Sequence, residues 1–165
     1  MRLVTILAGA AMLAACGSED TATVTTEDGE AEYSVDRSSG EANIEFRGND
    51  GESVNIRTGA NLAAGLPRGF SVYRGAKVIS SSQVSHNEGS GMNVMMESSA
   101  SPEDMVEFYR GQAESAGFTI QMDMKTQDTH MISGKDDDER VFSFNASSGE
   151  DGTTGHLMIG ENRRR

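Results

Sequence analysis

Soft-donor side chains are the first candidates for chemistry in this 165-residue chain, which carries ten methionines, three histidines and one cysteine. Beyond the first fifteen residues the methionines are Met92, Met95, Met96, Met105, Met122, Met124, Met131 and Met158. Thioether sulfur together with imidazole suits Cu(I) or Ag(I), and His86, His130 and His156 could supply the imidazole. Core packing is the competing use. Met92/Val94/Met96 and Ile120/Met122/Met124 alternate as inward-facing strand positions do, and methionine fills a core poor in rings. If Phe142/Phe144 and Leu157/Ile159 point inward, His156 and Met158 point outward, with His130 and Met95 expected beside them. The metal candidates are therefore Met95, His130, His156 and Met158.

Other chemistry finds less support. "KDDDER", Lys135 to Arg140, offers three adjacent Asp, whereas a calcium loop needs alternating oxygen ligands and a distant bidentate carboxylate. The stretch reads as a solvated hairpin tip. Ser80, Ser81 and Ser82 would need a positioned histidine to act as nucleophiles, and only His86 lies near in sequence. No G-x-S-x-G elbow, phosphate loop or C-x-x-C motif occurs. The chain is accordingly expected not to be an enzyme and to carry no cofactor.

A formal net charge of −12 repels phosphate backbones, which excludes nucleic acid as the expected partner. Arg163, Arg164 and Arg165 form only a short basic tail. Aromatic residues are 5% of the chain and tryptophan is missing, so the core must rest on aliphatic and sulfur side chains.

The elements that position these groups begin with a start unlike the rest. Met1-Arg2 is followed by the uncharged apolar run "LVTILAGAAML" and small residues Ala14 and Ala15. That is the layout of an export signal, and the run falls short of the roughly 20 residues a spanning helix requires. Leu13-Ala14-Ala15-Cys16 resembles the lipobox of bacterial lipoproteins. The resemblance implies cleavage before Cys16, diacylglyceryl transfer to its thiol, and attachment to membrane lipid through the acylated cysteine. It places the protein in the bacterial cell envelope, facing the periplasm. Gly17 stands where Asp favours inner-membrane retention in the enterobacterial version of the family, so the resemblance leans toward the outer membrane.

After a signal peptide over residues 1–15, residues 16–30 read as the lipidated cysteine and a flexible acidic tether, because "SEDTATVTTEDGE" is polar and charged. Residues 31–58 form a β-meander in which Tyr33/Val35, Ile44/Phe46 and Val54/Ile56 alternate with polar neighbours. Residues 59–70 are a connector ending near Pro67, and residues 162–165 are the basic tail. Residues 71–161 alternate short strands and turns around one helix of about residues 102–116. Ser101 caps that helix, Pro102 occupies its first position and Gly117 stops it. Its buried stripe is expected to be Met105, Phe108, Tyr109, Gln112, Ala113 and Ala116. Short connections require antiparallel pairing. The expected class is therefore α+β: an antiparallel sheet with one main helix, preceded by a meander that either extends the sheet or packs separately.

"LPRGFSVYRGAKV", a strand pair, then "SPEDMVEFYRGQAESAGF" is similar to a domain frequent in uncharacterised bacterial lipoproteins, with Arg74 in place of a usual proline and Phe118 in place of a usual tryptophan. That similarity implies a fold and no activity. The reading that emerges is a lipid-anchored, non-catalytic binding or scaffolding module with an envelope protein partner. The alternative is a periplasmic binder of a small ligand or a soft metal.

Overall fold

A computed structural model describes residues 19–162 and the side chains of residues 20–161. The signal peptide over residues 1–15, Cys16 and the tail residues Arg163 to Arg165 lie outside the described residues. The strands are β1 (Glu19–Thr26), β2 (Gly29–Asp36), β3 (Glu41–Gly48), β4 (Ser53–Thr58), β5 (Lys77–His86), β6 (Gly89–Ser98), β7 (Thr119–Lys125), β8 (Thr129–Lys135), β9 (Val141–Gly149) and β10 (Gly152–Asn162). A 3-10 turn, Ala60–Gly65, separates β4 from β5, and helix α1, Pro102–Ser115, separates β6 from β7.

All ten strands belong to one antiparallel sheet in the order β1-β2-β3-β4-β5-β6-β10-β9-β8-β7. This corrects the expected α+β class. Strand takes 58% of the described residues against 14% for helix, so the fold is mostly β with a single main helix. The meander extends the sheet, because β4 pairs with β5 from Val54↔His86 to Thr58↔Ser82.

The tether reading is corrected as well. Residues 19–26 form β1, which pairs with β2 along its length, from Glu19↔Asp36 to Thr26↔Gly29. Ala22/Val24 alternate with Thr21/Thr23/Thr25, and β-branched side chains suit a pleated strand once a partner is present. Gly29 starts β2 where a Cβ would lie 2.3 Å from the Arg47 carbonyl oxygen.

The core lies on the face that α1 covers. Met92, Val94 and Met96 of β6, Leu157 and Ile159 of β10, Phe142, Phe144 and Ala146 of β9, and Ile132 of β8 are buried there. From α1 come Met105, Val106, Tyr109 and Ala113. Val106 was not in the expected stripe, while Phe108 and Ala116 are only partly buried against the core. Gln112 bonds the Ser71 hydroxyl at 2.8 Å and accepts its N–H at 3.1 Å, which ties the segment leading into β5 to the helix. Phe70 closes one end, stacked on Phe142 with centroids 5.5 Å apart.

The ends of α1 follow local rules. Ser101 Oγ accepts the Asp104 N–H at 3.1 Å, and Glu103 and Asp104 occupy the first turn, where the helix dipole favours negative charge. Ser101→Ala is expected to cost about 1 kcal/mol. Urea denaturation checks it: the midpoint should fall with an unchanged slope.

Candidate functional site

Residues paired directly across antiparallel strands share a face, so the register fixes the side of every strand residue. On the helix side, β2–β4 present Glu30, Glu32, Asp36, Glu41, Glu45, Arg47 and Arg57. Glu45 and Arg47 pair at 2.6 Å there, and Glu41 and Arg57 at 3.5 Å. On the outward side the same strands carry no Asp, Glu, Lys or Arg. One row runs Ala22–Tyr33–Ile44–Ile56–Val84 across β1 to β5, and beside it Val24, Ala31, Phe46 and Val54 form a second.

The sheet is thus apolar on opposite sides in its two halves. In β6–β10 the apolar side chains meet the helix; in β1–β4 they face outward, where no described element covers them. Tyr33 and Ile44 are 44% and 40% exposed. A contiguous apolar surface of this kind marks an interaction site more often than a plain surface.

The outward face continues across β5–β10 in a different character. A row Ser80–Met95–His156–Asn145–Met131–Met124 crosses six strands, and beside it lie Ser82, Asn93, Met158, Ser143, Ser133 and Met122. A register shift in β5 between Val78 and Ser80 leaves Ile79 unpaired. Next to it an open groove of about 630 Å³ is lined by Thr58, Gly59, Ser80, Asn93, Met95 and His156.

Of the four metal candidates, Met95, His156 and Met158 share this face, and His130 does not. His130 pairs with Lys125 and Ala146 on the helix side, where its Nε2 lies 2.8 Å from Asp123 Oδ1. Its Nδ1 is buried without a partner. Arg110 of α1 holds the same Asp123 carboxylate at 2.6 Å. The His130 hydrogen bond, then that of Arg110, holds the Asp123 carboxyl below its ordinary value.

Met122 and Met124 were expected inward and are outward, 43% and 47% exposed. The reason is a second register shift, between Ile120 and Met122, which turns the rest of β7 over. No signal in the alternation of the sequence marks that extra residue.

The serines are separated by the sheet. Ser81 points to the helix side and gives its hydroxyl to the Gly59 carbonyl, while Ser80 and Ser82 face outward. His86 Nδ1 accepts the Glu88 N–H at 3.2 Å.

The acidic hairpin has a structural member. Asp136 Oδ1 accepts the N–H groups of Asp138 and Arg140 at 3.0 and 2.8 Å, and Oδ2 accepts Arg140 Nε at 2.5 Å. Burial by itself would raise the Asp136 carboxyl, but the Arg140 side-chain and backbone hydrogen bonds outweigh it and hold the group below its ordinary value. A carboxyl depressed on folding stabilises above its unfolded pKa of about 3.9, and that contribution is lost as pH falls through the folded value. Stability should therefore drop below about pH 4, and Asp136→Asn should make that drop shallower in urea midpoints recorded from pH 5 to pH 2.

Residues 78–152, from β5 into β10 and including α1, match the protein family described as START domain-like. No curated protein and no solved structure matches the chain. The family match is compatible with a non-catalytic binding module. Among the described residues no helix is long and apolar enough to cross a membrane.

Proposed function

We propose that the chain is a lipid-anchored cell-envelope protein that binds a protein partner through the outward apolar face of β2–β4 and carries out no reaction. The observation behind this reading is the inversion of the meander: Tyr33, Ile44, Phe46, Val54 and Ile56 turn away from the core, and charge is confined to the other side. Burial of such a surface against a partner is favourable by about 25 cal/mol for each Å² of apolar area. A membrane surface fits less well, since the net charge of −12 opposes approach to anionic headgroups.

Anchoring rests on the resemblance of Leu13-Ala14-Ala15-Cys16 to a lipobox. Acylated Cys16 holds the domain at the membrane facing the periplasm, and Gly17 leans the assignment to the outer membrane. A tethered module meets its partner at raised effective concentration, so a modest interface suffices.

Photo-cross-linking in intact cells tests the reading, with a photoreactive residue placed at Ile44 or, as the control, at Glu45 of the same strand. Ile44 should yield one reproducible adduct with an envelope protein, lost on adding Ile56→Lys, and Glu45 should not. Equal labelling from both positions, or none from Ile44, would sink the proposal. An adduct of twice the chain's own mass would assign the face to a second copy instead.

A further inference from the structure

We propose that Met95, His156 and Met158 form a site for one soft monovalent cation, Cu(I) or Ag(I), on the outward face of β6 and β10. The register sets the geometry. His156 stands directly opposite Met95, and such opposed residues hold their Cβ atoms about 4.5–5.5 Å apart. Met158 is two residues further along β10 on the same face, about 6.7 Å away at strand rise. The diagonal from Met95 to Met158 is about 7–8 Å, which long side chains span. Each methionine has three rotatable bonds, so both sulfurs can lean over the imidazole between them.

The donors are available. Of the three histidines, His86 accepts the Glu88 N–H and His130 is bound to Asp123. His156 makes no hydrogen bond or ion pair among the described residues, which leaves both ring nitrogens open. Met95 and Met158 are each 40% exposed, in contrast to the buried Met96, whose sulfur already accepts the Tyr109 hydroxyl.

Donor chemistry selects the ion. Two thioethers and one imidazole are soft and neutral, and the residues directly opposite them are Ser80, Asn93, Ser143 and Asn145. One carboxylate, Glu97, lies two residues from Met95 on the same face, opposite Lys77, and a single carboxylate does not make a site for a hard divalent cation. Hard cations therefore gain little here. The surrounding net charge of −12 raises the local concentration of any cation. The inference stands apart from the anchor and from the protein partner on β2–β4.

The test uses the full chain carrying Cys16→Ser, which removes the only thiol and leaves thioether and imidazole as the soft donors. Cu(I) is offered under anaerobic conditions from its bicinchoninate complex, and Ag(I) binding is followed through methionine methyl resonances. One Cu(I) per chain should leave the chelator, and Ag(I) should shift the methyl signals of Met95 and Met158. Met95→Leu, Met158→Leu and His156→Ala should each weaken binding by at least about tenfold, as loss of even an outer-shell partner does. Met122→Leu and Met124→Leu, on β7 three strands away, should leave it unchanged. Failure to withdraw Cu(I) from the chelator overturns the inference, as does binding that survives all three site substitutions. Circular dichroism of each variant identifies any that has failed to fold.

Discussion

Tyr109→Ala is expected to cost about 3–5 kcal/mol, the range for truncating a buried aromatic ring. Tyr109 is fully buried, its ring lies 4.2 Å from that of Phe144 and 5.1 Å from that of Phe108, and it joins α1 to β9. The hydroxyl is satisfied on both sides. It accepts the Tyr73 N–H at 3.1 Å and donates to Met96 Sδ at 3.2 Å, so one side chain ties the helix, the segment leading into β5 and β6 together. Burial pushes its ionisation above the ordinary tyrosine value. Against a total stability of about 5–15 kcal/mol, the alanine variant should be largely unfolded at 37 °C if the parent lies at the low end. Tyr109→Phe isolates the polar part, because it keeps the ring and leaves the Tyr73 N–H unpaired at about 1–3 kcal/mol. Urea denaturation of the three proteins measures both steps. Equal stability of all three would mean that α1 does not pack on β9 through this ring.

Cys16→Ser is expected to abolish lipid modification outright. One acyl chain gives marginal, reversible binding, and two or three hold a protein stably at about 0.8 kcal/mol per buried methylene. Serine cannot form the thioether, so the chain should accumulate as an unprocessed precursor without lipid. Labelled palmitate should enter the parent protein and not the variant, and the mature band, shorter by residues 1–15, should disappear. Palmitate incorporation equal in both proteins would end the anchoring proposal. The folded module itself should be untouched, since the nearest described strand begins at Glu19. Thermal unfolding of the variant should match that of the parent.

The packing of α1 and the strands was largely legible. The helix could be read because its signals are contiguous: a capping serine, proline at the first turn, acidic residues at the positive end and glycine at the stop. Strand positions could be read from period-two alternation, as with Phe142/Phe144 and Leu157/Ile159, which do face the core. That logic also set Met95, His156 and Met158 on one face, as the register has them.

It failed where a single residue shifts the phase. The irregularities beside Ile79 and at Ile120/Met122 each turn the following residues over, and the second sends Met122 and Met124 outward. His130 was misplaced for a related reason. Its side depends on which residue of β9 it meets, and the register gives it Ala146 on the helix face. Composition misled at Glu19–Thr26, where acid and threonine suggested a tether and pairing with β2 makes a strand.

Local composition and periodicity, then, determined the capped helix and every strand except β1, and they alone carry the expectation of an export-type start and an acylated Cys16, because each is encoded by neighbours within a few residues. Tertiary structure decided that one sheet takes all ten strands, that its two halves are apolar on opposite sides, and that Met95, His156 and Met158 lie together without His130. Those outcomes depend on pairing between segments far apart in the chain, and a one-residue change in register moves a side chain from one solvent environment to the other.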